Sequence, residues 1–309
     1  MDSQPKSYVG IDVAKETLAV QTEQKRFEVT NDTTGIRKLL VVLRRIPSVH
    51  VVCEATGGYE RKLLGMLHDN RIAVSLVSAA RVRDFARSDG IKAKTDPLDA
   101  LVILRFAQHK RPNPTPPPSA DQQRLIALMD RREHLSEQLA REKNRLQNSQ
   151  EAIHDSIKKM ILFIQQERKD IDQQIHTLVQ NNPAMSRACD VLLEVKGVGY
   201  VTVWSIMAYL PEIDRLSRNE VVALAGLAPY NRDSGESQKR RSIFGGRAKI
   251  RRVLFLATQS AASYNPVIHP YVEGLRARGK PYRCALVAAM RKMLLHIRAL
   301  IKIHEISFA

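Results

Sequence analysis

Short apolar runs separated by turn residues open the chain. Tyr8–Val13, Thr17–Thr22 and Arg26–Thr30 are rich in β-branched and apolar side chains, and the polar gaps between them predict three strands. The period then lengthens. Leu39, Leu40, Leu43 and Ile46 recur at helical spacing, predicting a helix over Thr34–Ile46. Val49–Glu54 and Ile72–Ser78 predict two further strands. Tyr59–Asp69, Ala79–Arg87 and Asp96–Gln108 predict three further helices. Three leading strands followed by alternating helices and strands predict an α/β domain with a mixed sheet over residues 1–111.

Five prolines in the seven residues Pro112–Pro118 end that domain. Such a run cannot continue a helix and favours an extended, semi-rigid spacer, here 112–120. From 121 to 181 the apolar positions fall at near-heptad spacing: Leu125, Leu128, Leu135, Leu139, Leu146, Ile153, Ile157, Met160, Ile164, Ile171, Ile175 and Leu178. A narrow seam on an otherwise polar helix predicts a coiled coil, either one rod or a hairpin hinged near Gln147–Ser156. The seam is expected to seek a second chain, with packing on its own chain as the alternative. Asn181-Asn182-Pro183 ends the arm, and 182–309 reads as a mostly helical domain with helices over Val201–Leu210 and Asn219–Leu227.

Charge changes the picture. The 309 residues carry a formal net charge of +17. Residues 1–112 contribute +6, residues 113–230 contribute −1 and residues 231–309 contribute +12. Docking cations on phosphates releases condensed counterions, so this excess points to a polyanionic partner. Apolar residues interleave the C-terminal charges, which a merely solubilising tail would not need. With 44% hydrophobic and 26% charged residues, wholesale disorder is excluded. No apolar run reaches the ~18 residues of a membrane span, and no secretion signal is evident. Cys53, Cys189 and Cys284 have no zinc or disulfide spacing, so a reducing, intracellular setting is expected. Aromatics at 5% argue against a base-stacking single-strand platform.

Four carboxylates stand out by position. Asp12 lies inside the first apolar strand, where an ionised group is costly without a cation or donors. Glu54 ends the fourth strand. Asp96 and Asp99 sit one turn apart at a helix start. If the first and fourth strands are neighbours, as in an RNase H-like sheet, Asp12 and Glu54 emerge side by side and the helix brings Asp96 and Asp99 to them. Four hard oxygen ligands would suit two Mg²⁺ ions about 4 Å apart, with Mn²⁺ as a substitute. The competing account is local: Asp96 as N-cap, Pro97 as first helical residue and Asp99 as dipole complement.

In the second half, Lys196-Gly197-Val198-Gly199 between apolar helices reads either as a phosphate-approaching hairpin or as a plain interhelical turn. Asp233-Ser234-Gly235 precedes Lys239-Arg240-Arg241. Ser234 is thus an ordinary turn residue or, where the basic run holds a phosphodiester, a nucleophile. Candidate nucleic-acid contacts are Lys92, Lys94, Lys196, Gly197, Gly199, Lys239, Arg240, Arg241, Arg247, Lys249, Arg251 and Arg252.

Together Tyr8–Lys15, Glu54-Ala55-Thr56-Gly57, Lys94–Ala100 and Gly226-Leu227-Ala228-Pro229 with Asp233-Ser234-Gly235 resemble the DEDD transposases of the insertion sequence one-hundred-ten type, which include the Piv-like DNA invertases. The resemblance covers nearly the whole chain. It implies a RuvC-like (RNase H-like) first domain, a coiled coil and a transposase domain. It makes Asp12, Glu54, Asp96 and Asp99 the metal-binding tetrad, and Ser234 the nucleophile of a phosphoserine link to cleaved DNA. It also implies target and donor duplex DNA as partners, a structured bridge RNA as guide, and dimers to tetramers in which one subunit's tetrad meets another's serine, in a prokaryotic cytoplasm. Asp233 stands where that family pattern has glutamate. A RuvC-like junction nuclease using water, and a non-enzymatic coiled-coil nucleic-acid binder, are the alternatives.

Overall fold

The computed structural model describes residues 7–55, 58–90, 96–230, 242–243 and 245–308; for 80, 96–98, 230 and 242 it describes the backbone alone. The chain divides into two compact units, 1–117 and 118–309.

The first unit is a five-stranded sheet with helices on both faces. Its strands are β1 (Ser7–Val13), β2 (Thr17–Gln21), β3 (Arg26–Thr30), β4 (Val49–Glu54) and β5 (Ala73–Val77), in the spatial order β3-β2-β1-β4-β5. The β1–β2 and β2–β3 pairs are antiparallel, while β4 runs parallel to both β1 and β5. Alternation along each strand then sorts the side chains. Val9, Ile11, Val51 and Cys53 bury against α1 (Thr33–Leu43) and α2 (Arg61–Asp69) through Ile36, Leu39, Leu63 and Leu67. Tyr8 and Val52 bury on the other face against α3 (Ala79–Ser88) and α4 (Asp96–Lys110) through Val82, Phe85, Ile103 and Phe106. Asp32 caps α1 by accepting from the Gly35 amide at 2.7 Å.

The beginning of the proline-rich stretch is tied to the sheet. β5 is an edge strand with unpaired backbone groups. Only Asn113 and Thr115 retain an amide within 112–118. The Thr115 amide donates to the Val74 carbonyl at 2.8 Å, and the Leu76 amide donates to the Thr115 hydroxyl at 3.0 Å. The Ser75 hydroxyl donates to the Asn113 carbonyl at 2.7 Å. Asn113 and Thr115 therefore cover part of that edge.

The second unit is helical. Its heptad-spaced arm is two helices, α5 (Ala120–Asn148) and α6 (His154–Asn181), with the continuous-rod alternative broken at 149–153. Arg132 bonds Asp172, and Leu135 and Leu139 bury with Ile164, so the two run antiparallel. Leu125, Leu135, Leu139, Ile157, Ile164, Ile175 and Leu178 of the seam are buried within the chain, while its Ile153 and Met160 are exposed. α7 (Pro183–Leu193), α8 (Tyr200–Tyr209), α9 (Arg218–Leu224), α10 (Ala248–Tyr264), α11 (Ile268–Ala277) and α12 (Tyr282–Ile303) close one core with the base of the arm. Ser217 and Glu220 form a capping box on α9. Between α9 and α10, β6 (Pro229–Tyr230) pairs with β7 (Ser242–Ile243). Among the described residues no helix is long and apolar enough to cross a membrane.

Candidate active site

Strand pleating decides where the acidic side chains go. Tyr8 and Val52 face α3 and α4, whereas Val9, Ile11, Val51 and Cys53 face the opposite layer. Period-two alternation therefore places Asp12 and Glu54 on the α3/α4 face. Each is the residue after the Ile11–Cys53 pair that ends the parallel register, so the two stand at the same end of neighbouring strands. Both are half-buried.

The third component arrives with α4. A Cβ on Gly10 would fall 2.5 Å from the Leu104 backbone nitrogen, closer than real side chains approach, so the missing side chain lets α4 lie on β1 at contact distance. Asp99 directly precedes Ala100, whose carbonyl is the other backbone group pressed on Gly10. Asp99 is exposed on the first turn of that helix; Asp96 begins it, and the Asp96 side chain lies outside the described residues. Asn31 stitches the same end of the sheet, donating to the carbonyls of Ala14 at 2.9 Å and Tyr59 at 3.1 Å.

The electrostatics record this convergence. Burial, then Asp12, then Asp99 push the Glu54 carboxyl up to about 7, while the Arg83 guanidinium pulls it back. Asp12 of β1 and Asp99 of α4 thus both act on Glu54 of β4. Hard, anionic oxygen donors around a partly desolvated carboxylate suit a divalent cation. Among the described residues no three His, Cys, Asp or Glu side chains make up an ion site by themselves. Cys53, next to Glu54 but buried on the other face, is pushed up to about 12 by burial and by Glu60 and Glu54, which leaves its thiol unreactive.

The remaining candidates divide into several groups. Lys92, Lys94, Asp233, Ser234, Lys239, Arg240 and Arg241 lie outside the described residues. The stem of the loop carrying Ser234 is described: Tyr230 pairs with Ser242, and Gly226 packs its backbone on Gly245 and Gly246. Gly197 serves packing, since a Cβ there would meet the Ala261 Cβ at 2.6 Å. Gly199 faces open space, and Lys196 is exposed with its carbonyl accepting from Asn265 at 2.7 Å.

Several expected phosphate contacts make ion pairs or hydrogen bonds within the second unit. Arg247 holds Glu212 through two bonds of 2.9 and 2.5 Å and also donates to the Tyr209 carbonyl. Lys249 pairs with Asp130 at 2.6 Å and Glu133 at 2.9 Å. Arg252 pairs with Glu133 at 2.5 Å, and Arg251 donates to the Gly245 carbonyl. Their carboxylate partners sit between 35 and 119 residues away in sequence, so charge counting along the chain could not pair them.

Sequence reasoning missed Asn31, Arg83 and Gly10. Asn31 sits in a turn and gave no signal beyond that. Gly10 did give one: a glycine inside an apolar strand marks close backbone approach.

Two family profiles match the chain. One, a transposase of the DEDD type of IS110, covers residues 9–154; the other, the transposase IS116/IS110/IS902 family, covers residues 189–273. The pilin gene-inverting protein of Moraxella bovis is 29% identical over 306 residues, 94% of each chain. That of Moraxella lacunata is 28% identical over 305 residues, again 94% of each. A 43.6 kDa protein of insertion element IS110 from Streptomyces coelicolor is 24% identical over 149 residues, 48% of this chain and 36% of its own. With its two halves matched in order by these profiles, the chain belongs to the IS116/IS110/IS902 family of transposases, enzymes of DNA recombination.

Proposed function

We propose that the chain cuts and rejoins DNA strands through a covalent serine intermediate, at a divalent-metal site built from Asp12, Glu54, Asp96 and Asp99. The observation that carries the reading is the convergence of Asp12, Glu54 and Asp99 at one end and on one face of the sheet, with Glu54 pushed up to about 7. The strand order β3-β2-β1-β4-β5 supports an RNase H-like (RuvC-like) assignment for 1–111. The antiparallel pairing of α5 with α6 supports reading 121–181 as a coiled coil in hairpin form. Residues 182–309 are then the transposase domain.

The chemistry supplied by bound Mg²⁺ at these acids is polarisation of the phosphodiester and easier ionisation of the attacking hydroxyl. The parallel register sets the backbones of Asp12 and Glu54 on neighbouring strands, and the Gly10 contact sets the distance of α4, so Asp12, Glu54 and Asp99 would be the residues that hold the ion. Ser234 supplies the hydroxyl. Its Oγ bonds to phosphorus, the P–O bond to the adjoining sugar breaks, and the sugar oxygen leaves as a hydroxyl carrying the proton. One phosphodiester replaces another, so attack by a second strand's hydroxyl reverses the step and releases Ser234 with the strands exchanged.

Duplex DNA is the substrate, in keeping with the gene-inverting activity named for the Moraxella relatives. A structured guide RNA would carry sequence recognition, leaving the protein mainly backbone contacts, which suits its scarce aromatics. Assembly into dimers or tetramers would run through the arm, where Met160, Leu162 and Phe163 of α6 remain exposed.

The test is a trapped adduct. Denatured reactions with labelled duplex, Mg²⁺ and co-expressed RNA should retain label on the protein, and Ser234→Ala should abolish it. Free cut ends without an adduct would mean a water-using nuclease. Intact DNA that stays bound in EDTA and in Asp12→Asn would mean a binding protein. Sequencing RNA that co-purifies with the chain tests the guide: a discrete structured species supports it, and bulk cellular RNA counts against it.

A further inference from the structure

Residues 231–309 hold most of the chain's excess charge, yet Arg247, Lys249 and Arg252 are neutralised by Glu212, Asp130 and Glu133. The cations that remain available concentrate elsewhere. From Arg276 to Cys284 every residue is exposed, and this stretch joins α11 to α12. It contains Arg276, Arg278, Lys280 and Arg283, and Glu273 is the sole acid between Glu236 and Glu305. That acid is already engaged: Arg276 pairs with it at 3.1 Å and also lies over the Tyr282 ring, 5.8 Å from its centre. Arg278, Lys280 and Arg283 make no ion pair among the described residues.

We propose that this turn is a backbone-contact surface for duplex DNA, in which Arg278, Lys280 and Arg283 bind phosphates. The inference rests on the recombinase reading, which makes duplex DNA the polyanion the protein must hold.

The turn suits the task mechanically. The Gly279 amide donates to the Arg276 carbonyl at 2.9 Å, and the Lys280 amide donates to the Leu275 carbonyl at 3.1 Å, which closes the backbone. Arg278 Nε donates to the Gly274 carbonyl at 3.1 Å, aligning the side chain while leaving its two terminal nitrogens to fork onto a phosphate. Ile268 and Val272 anchor α11, and Ala285, Leu286 and Ala289 anchor α12, so both arms of the turn end in the core. Cations presented on fixed backbone lose less freedom on docking than cations on a mobile tail. With a single exposed aromatic beside them, Tyr282, these groups can hold a backbone but have little with which to read bases.

The experiment compares salt dependence of binding. The full chain is titrated onto a fluorescent random-sequence duplex across a salt series, as wild type, as Arg278→Gln/Lys280→Gln/Arg283→Gln, and as Arg37→Gln/Lys38→Gln/Lys62→Gln. The last set removes the same charge from exposed positions on α1 and α2. Each lost phosphate contact lowers the slope of log K against log salt by about 0.9, so the turn variant should lose roughly 2.7 and the control much less. Equal slopes in the two triple variants would overturn the proposal. A turn variant that keeps its duplex slope but loses affinity for a folded RNA hairpin would also overturn it, assigning the turn to RNA. Wild type that binds no duplex at any salt would sink the recombinase reading itself, a different result from either.

Discussion

Gly10 of β1 and Ala100 of α4 meet backbone to backbone, with no room for a side chain between them. This contact fixes how far α4 stands from the sheet, and hence where Asp99 stands relative to Asp12 and Glu54. Gly10→Ala should force α4 outward and destabilise the chain by about 1–3 kcal/mol through overpacking. Gly10→Ala should also abolish adduct formation at temperatures where the protein is still folded. Differential scanning calorimetry beside an adduct assay checks both; full activity in a destabilised variant would show that α4 need not sit so close.

Glu54 makes stability depend on pH in the absence of divalent ions. Its proton is held more tightly in the folded state, where the carboxyl titrates near 7, than at its ordinary value of 4.5. That contribution is therefore present below about 4.5 and is lost as pH rises through about 7. In EDTA, the melting temperature of wild type should fall relative to that of Glu54→Gln over this window. His50 works in the opposite sense, since burial lowers its pKa, but it is common to both proteins and cancels in the comparison. Parallel pH profiles for the two proteins would contradict the placement of Glu54 among the other acids.

Arg83 is the cation that opposes Asp12 and Asp99 at Glu54. Arg83→Gln should move the titration of Glu54 further up, whereas Arg83→Lys should leave it nearly in place. Carboxyl NMR of Glu-labelled protein in EDTA measures this. No movement in Arg83→Gln would place the guanidinium out of reach of the acids.

Adding Mg²⁺ or Mn²⁺ should raise the melting temperature of wild type, by the equivalent of about 2.7 kcal/mol at a hundred times the dissociation constant. Asp12→Asn and Asp99→Asn should remove most of that gain, because each deletes a ligand charge while keeping the side chain's size. A gain in Asp12→Asn equal to that of wild type would locate the ion elsewhere.

Arg247→Gln should separate architecture from DNA contact. Its guanidinium bridges Glu212 and the Tyr209 carbonyl, so removing it should cost on the order of 1 kcal/mol, discounted for its partial exposure. The salt slope of duplex binding should stay at the wild-type value. A slope reduced by about 0.9 would return Arg247 to the phosphate contacts.

Local pattern was enough for much of this protein. Strand runs and helix spacing gave β1 to β5 and the four helices of the first unit to within a few residues, because period two and period 3.6 are written in neighbouring residues. Asp12 was conspicuous because a carboxylate inside Ile11–Val13 is costly in any fold. The β1–β4 adjacency, the Gly10 contact and the lift in the Glu54 pKa arise only when segments far apart in sequence come together. The same holds for charge. Lys249 and Lys280 look alike in a sequence, yet one is paired with acids from α5 and the other faces solvent, because an ion pair is set by distance in space. The arm shows the limit most plainly: a heptad seam states that a helix needs a partner, and only the tertiary structure shows the break at 149–153 and the antiparallel packing of Leu135 and Leu139 on Ile164.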